Sequence, residues 1–274
     1  MACDREQDLP LGDPEFYREV GPDGRDYQLY IPRSYRADRP APLVVDLHAA
    51  GEDATTQRLS GFESLAEKKG FVLARPQAEF GAFVGEVTVF ARFWSLFDRT
   101  DVDYVLATIA DVRTLVCIDA ARVYAAGYSM GGNLTAYLAC RSPQTFAAVA
   151  SVAVLDHPVC DPDPTPLIAF VGRADTIYRM DAGLDPDIFS QTAGGGPPGA
   201  RPGPLDDEAS AWASTNGCRA EPTVQEVNTR VERRSYRCRH ADFEIYVHEG
   251  GHTWPGSFDR LQASRLIWAF FEDH

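Results

Sequence analysis

The chain predicts an α/β fold in which helices cover both faces of a mostly parallel central sheet. Three observations predict it. Runs such as Leu43-Val44-Val45-Asp46-Leu47 are nearly continuous in apolar residues, as strands buried on both faces must be. The stretches between such runs carry apolar residues at helical spacing. The two patterns alternate along the chain, which implies parallel strands joined by helices. With 274 residues, 45% hydrophobic and 24% charged, the chain can bury a sizeable core, and wholesale disorder is excluded.

Residues 28–31 and 43–47 are the first expected strands. Over 56–69, Leu59, Phe62, Leu65 and Ala66 share a helical face, and Gly70 follows as a stop. Residues 71–74 supply the next strand. Tyr104, Val105, Thr108, Ile109, Val112, Leu115 and Val116 trace one face of a long helix, with Asp101 and Asp103 as candidate N-caps. A strand at 123–126 leads directly into a short helix at 133–139. Further strands are expected at 149–154, 167–171 and 244–247. A last helix, from near Ser257, carries Leu261, Ile267, Trp268, Phe270 and Phe271. Residues 1–24 are expected to form an N-terminal extension and 25–274 a single domain. Within it, the Gly- and Pro-rich stretch 192–204, part of a loop over about 181–206, can hold neither helix nor strand. It falls between elements argued below to carry catalytic residues, so it is expected to face substrate.

The 26 Lys and Arg against 40 Asp and Glu give a formal charge of −14. Long-range repulsion then works against nucleic acid and anionic membranes, but not against a neutral substrate. No apolar run approaches the roughly 18 residues of a membrane span. Met1-Ala2-Cys3-Asp4 does not open a signal peptide as the chain stands. The expectation is nevertheless an exported protein whose leader is absent from this chain: secreted, periplasmic, or anchored through an acylated Cys3. A cytoplasmic protein is the alternative. Of the six cysteines, Cys218 and Cys238 are the expected disulfide, because the segment between them ends in an apparent strand pair. Cys140–Cys160 is a second pairing, which leaves Cys117 as a buried thiol.

Gly127-Tyr128-Ser129-Met130-Gly131-Gly132 lies between an expected strand and an expected helix. In that setting the G-x-S-x-G pattern places a serine hydroxyl on a strained turn at the positive end of a helix. Such a serine needs a base for its proton and a carboxylate to hold that base, following it in chain order. Asp175, just past the strand 167–171, is the expected carboxylate, ahead of Asp156 and Asp181. His252, reached from the strand 244–247 through Gly250-Gly251, is the expected base, with His248 its rival. The oxyanion needs backbone donors: Met130, after the serine, and Ala50 in Leu47-His48-Ala49-Ala50-Gly51, with Ala49 as the alternative. His48, Trp94, Tyr128 and Trp254 are candidate substrate contacts. His248-Glu249-Gly250-Gly251-His252 also matches H-E-x-x-H literally, yet the zinc motif needs a helix, and two glycines between a strand and Pro255-Gly256 oppose one. No metal and no cofactor are expected.

The sequence resembles the esterase family that includes polyhydroxybutyrate depolymerases and feruloyl or acetyl-xylan esterases (carbohydrate esterase family one) over about residues 25–272. The resemblance rests on His48-Ala49-Ala50-Gly51, on Ile118-Asp119 and Arg122-Val123-Tyr124 leading into the serine turn, and on Val171-Gly172-Arg173-Ala174-Asp175. It also rests on Asn216-Gly217-Cys218 and, most specifically, on Gly250-Gly251-His252-Thr253-Trp254-Pro255-Gly256. It implies an α/β-hydrolase fold, a Ser-Asp-His triad without a cofactor, and export. One departure is His48-Ala49, where the family pattern has His-Gly. The expected function is hydrolysis of a neutral carboxylic ester, of the feruloyl or acetyl-xylan type or a hydroxyalkanoate polyester, on a substrate that can be polymeric. A zinc hydrolase and a catalytically silent binding module on the same fold are the alternatives.

Overall fold

Val44, Val45 and Leu47 are wholly buried, and the strand that carries them lies inside a ten-stranded sheet. The computed structural model describes residues 3, 8–21, 24–84, 87–96, 98–158, 164–187, 201–256 and 261–274. The sheet strands are β1 (Tyr17–Val20), β2 (Arg25–Tyr30), β3 (Ala41–Leu47), β4 (Val72–Pro76) and β5 (Ile118–Tyr128). They continue with β6 (Ala148–Val152), β7 (Leu167–Gly172), β8 (Thr223–Asn228), β9 (Val231–Tyr236) and β10 (Phe243–His248). Their spatial order is β1-β2-β4-β3-β5-β6-β7-β10-β9-β8. The run from β4 to β10 is parallel throughout. An antiparallel pair closes each edge.

Alternate residues of each central strand serve opposite faces, as the pleat requires. Leu43, Val45, Val123 and Ala125 pack with Val105, Ile109, Leu134 and Trp212. These come from helices α2 (Thr100–Leu115), α3 (Met130–Arg141) and α4 (Leu205–Thr215). Val44, Tyr124 and Ala126 pack on the other face with Phe62, Ile267, Trp268 and Phe271. Helices α1 (Phe62–Lys69) and α5 (Ala263–Glu272) supply that second layer. Each such aliphatic or aromatic side chain, once buried, contributes roughly 1.5–3 kcal/mol.

Several expectations need correction. The helix over 56–69 is interrupted: a 3-10 turn, Thr56–Ser60, ends at Gly61 (φ 69°), and α1 starts after it. The buried Asp46 draws this turn inward by accepting bonds from Gln57 Nε2 (2.6 Å) and Ser60 Oγ (2.8 Å), while Leu59 is left 47% exposed. Asp101 does not cap α2. It sits buried in the first turn, where it accepts from Arg25 and from the Ser95 amide, and the Thr100 amide is satisfied by Asp98 at 2.8 Å. The last helix begins at Ala263 rather than near Ser257. Residues 1–24 are not merely an extension, because β1 within them pairs with β2.

Cys218 and Cys238 are bridged as expected. Cys117 is not a free thiol, and Cys3 is not available for acylation, because the two form a disulfide with each other. Cys140 is also disulfide-bonded, while Cys160, its expected partner, lies outside the described residues. The stretch 192–204 falls mostly outside them as well. Its described end is held where Pro202 accepts the Leu184 amide at 3.0 Å.

Candidate active site

Ser129 stands between the end of β5 and the start of α3, at φ 54° and ψ −117°. The turn is tight enough to require its glycines. A Cβ on Gly127 would meet the Gly131 carbonyl oxygen at 2.1 Å, and one on Gly131 would meet the Leu47 carbonyl oxygen at 2.3 Å. The Ser129 amide is satisfied by Val152 (2.8 Å), and its carbonyl accepts the Asn133 amide (3.1 Å), which stitches the turn to β6 and to α3.

At the same sheet edge, Asp175 follows β7 by a short turn. It is 5% exposed, and its Oδ1 accepts the amides of Ile177 (2.8 Å) and Tyr178 (2.9 Å). Oδ2 lies 2.7 Å from His252 Nδ1, and His252 Nε2 lies 2.7 Å from Ser129 Oγ. A carboxylate only accepts, so Nδ1 carries the imidazole proton and Nε2 is left to accept from the serine hydroxyl. The loop bearing His252 can reach Asp175 because β7 ends in Gly172, where a Cβ would meet the Gly250 carbonyl oxygen at 2.3 Å. Tyr128, beside the serine, donates its hydroxyl to the His252 carbonyl at 2.7 Å and so anchors that loop.

The rival residues are engaged elsewhere. Asp156 accepts from Asn133 Nδ2 (3.3 Å), and burial, together with the charge of Glu208, pushes its carboxyl well above the usual range. Asp181 is an exposed partner of Arg179. His248 closes β10 and accepts the Gly250 amide at Nδ1 (3.1 Å), while Glu249 pairs with Arg173 (3.1 Å). The H-E-x-x-H match therefore spans a strand end and a turn, not a helix.

His48 and Trp94 are corrected from substrate contacts to scaffold. The His48 ring is fully buried, donating from Nδ1 to the Ala49 carbonyl (2.7 Å) and accepting the Ala78 amide at Nε2 (3.0 Å). Burial lowers its pKa to about 4, so it is neutral. Trp94 is 2% exposed, lies tilted against His48 with ring centroids 4.7 Å apart, and donates Nε1 to the His48 carbonyl at 2.8 Å. Trp254 is half-buried, with its Nε1 on Ser264 Oγ at 3.0 Å. Ala50 is half-buried, and Ala49 is buried.

Two features of this edge escape the sequence reading. One is a hairpin, Glu79–Val84 with Val87–Phe93, whose Arg92 carbonyl accepts the Gly51 amide at 2.8 Å and so braces the loop after β3. The β-branched and aromatic run at 87–93 carried that signal. The other is Glu52, whose buried Oε2 has no hydrogen-bond partner among the described residues and whose carboxyl pKa is raised, chiefly by burial. Nothing in residue type separates it from an ordinary surface acid.

A serine on a strand-to-helix turn at the edge of this sheet, with an acid and a histidine following it in chain order, defines an α/β-hydrolase. Residues 25–187, more than half of the chain, match the family described as Esterase PHB depolymerase, and the chain belongs to that family. It is 29% identical over 210 residues to "Feruloyl esterase B" of Piromyces equi, covering 70% of this chain and 35% of that one. It is also 29% identical over 240 residues to "Putative esterase NocK" of Nocardia uniformis subsp. tsuyamanensis, covering 78% and 66%. The chain thus spans about a third of the first relative's length and about two thirds of the second's. The solved acetyl xylan esterase from Aspergillus awamori superposes with a TM-score of 0.62 at 15% identity, over 93% of this chain and 99% of that one.

Proposed function

We propose that the protein is a serine esterase acting on a neutral carboxylic ester, with β1 joining residues 25–274 in one catalytic unit. The observation that carries the reading is the continuous line from Ser129 Oγ through His252 to Asp175, each link 2.7 Å. Ser129 Oγ attacks the ester carbonyl while His252 Nε2 takes its proton, and Asp175 holds the ring and balances the imidazolium. The alcohol leaves with that proton. Water, deprotonated by the same imidazole, then cleaves the acyl-serine to free acid.

The Met130 amide, at the start of α3, and the Ala50 amide receive the oxyanion, each such donor being worth about 3 kcal/mol. The choice of Ala50 over Ala49 has a geometric basis. The Ala49 carbonyl is held inward by the His48 ring (2.7 Å) and the Glu52 amide (3.2 Å). In a trans peptide the following N–H, that of Ala50, points the opposite way.

The relatives' names favour feruloyl or acetylated-xylan esters, and the family description favours a hydroxyalkanoate polyester. Methyl ferulate, acetylated xylan and a hydroxybutyrate trimer, compared by kcat/KM, separate these. The disulfides favour an oxidising compartment, hence export.

The reading is tested by Ser129→Ala. Turnover of p-nitrophenyl acetate should fall by several orders of magnitude with the melting temperature little changed, since the hydroxyl carries no packing. Wild-type turnover should survive a chelator and be abolished by an organophosphate. Activity above about one percent in Ser129→Ala sinks the assignment.

A further inference from the structure

A groove of about 250 Å³ opens beside Trp254, between α1 and the residues leading into it on one wall and residues 254–256 and 262–265 on the other. Trp254 joins it to the candidate site: its ring centre is 6.4 Å from that of Tyr128, which is 5.6 Å from that of His252. The indole Nε1 donates to Ser264 Oγ at 3.0 Å, and that hydroxyl in turn donates to the Ser60 carbonyl, so the two walls are tied together.

Lys68 and Arg265 line the groove from opposite walls, and both are exposed. Among the described residues, the carboxylates nearest to them in sequence are spent on other partners. Glu63 pairs with Arg75 (2.5 Å) and Arg58 (3.2 Å), Glu67 with Tyr30 (2.6 Å) and Arg33 (3.7 Å), and Glu272 with Lys69 (3.0 Å). Among the described residues, neither Lys68 nor Arg265 has an ion-pair partner. In a chain of net charge −14, two cations lining one groove, neither paired among the described residues, favour an anionic ligand there. The rest of the lining includes groups that a sugar ring uses: an aromatic wall in Trp254, and hydroxyl and amide groups in Ser64 and Gln262, beside apolar Leu59 and Leu65.

We propose that this groove is a subsite for a uronate-bearing saccharide. It would hold an acidic residue of a polymeric substrate while an ester elsewhere on the same chain reaches Ser129. Its catalytic purpose rests on the esterase reading, but the binding itself does not.

The test is calorimetry on the full chain with three ester-free probes: a glucuronate-branched xylotetraose, a galacturonate trimer and neutral xylotetraose. At least one acidic probe should bind ten-fold or more tighter than the neutral one, and which one it is identifies the source of the uronate. The preference should shrink at 0.5 M salt, where screening is strong. In the Lys68→Gln/Arg265→Gln double variant it should fall to within about two-fold. Both residues are exposed, so an unchanged melting temperature is expected; each single variant, losing part of the preference, serves if the double variant misfolds. Equal binding of all three probes, no binding at all, or a preference kept by the double variant overturns the proposal. Wild-type turnover of p-nitrophenyl acetate is measured separately. Turnover without an acidic preference removes the subsite alone, and an acidic preference without turnover removes the esterase reading alone.

Discussion

Ser129 occupies a backbone region that costs an L-residue on the order of 1–3 kcal/mol, and it stays there because β5, β6 and α3 leave it no other course. The strain belongs to the residue, but in the proposed mechanism its use depends on Asp175. Replacing Asp175 by Asn would let the side chain donate to the imidazole and hold it in the wrong tautomer. We expect kcat/KM to fall by about four orders of magnitude with the fold retained. If Asp175→Asn stayed active while Asp156→Asn was dead, the acid assignment would be wrong. His48 makes a different prediction. Its folded pKa is lowered to about 4, against roughly 6.5 in an unfolded chain. Between those values the unfolded chain takes up a proton that the folded one refuses, so His48 withdraws stability as pH falls from about 6.5 to 4. The full effect is about 3 kcal/mol. The His48 ring resonance should not titrate between pH 8 and 5, and urea midpoints should lose less toward acid in His48→Gln than in wild type. The position of Asp175 was legible because it directly follows a buried apolar run, which Asp181 does not. The part His48 plays was not legible: its partners are the backbone groups of Ala49 and Ala78, and backbone contacts leave no mark on residue identity.

Among the elements, α3 approaches β3 so closely that Gly131 rests against the carbonyls of Leu47 and His48. An added methyl would push the helix, and the serine turn with it, away from the loop that carries Ala50. Gly131→Ala should therefore cost about 1–3 kcal/mol and most of the activity. Gly256→Ala, where an added Cβ meets nothing within 4 Å among the described residues, should do neither. Thermal unfolding and ester turnover of the two variants decide this. A second element-scale device is the buried pair of Asp46 on β3 and Arg75 on β4 (3.1 Å), to which Gln57, Ser60 and Glu63 add bonds. Truncating Arg75 to Ala leaves Asp46 buried without its counter-ion, an expected loss of about 3–5 kcal/mol in urea unfolding. Strands β3 to β7 could be anticipated because burial on both faces forces continuous apolar runs. The edge strand β8, largely open to solvent, showed only as one half of an apparent strand pair before Cys238, and β1, half-buried and without an apolar pattern, did not show at all. The break at Gly61 was hidden for a related reason. Leu59 fits a helical stripe on paper, but the polar anchors Gln57 and Ser60 determine which side of the turn faces in.

For the whole molecule, mass mapping without reductant should recover Cys3 linked with Cys117 and Cys218 linked with Cys238, and should find Cys140 in a linked peptide as well. Removing the second bridge, which closes 20 residues, should cost about 3 kcal/mol. The first bridge has another consequence, a mechanical one. If the protein is held at residues 3 and 274 and pulled, the load enters at Cys3, crosses the sulfurs to Cys117, and bypasses everything between. A separation of 114 residues at about 3.5 Å each keeps roughly 400 Å of chain out of the stretched length until a thiol is added. Strands β1 to β4, with α1 and α2, are shielded from tension, while Ser129, Asp175 and His252 all lie in the tethered half. Under force, this molecule should lose its hydrogen-bonded serine while much of its first half remains inextensible.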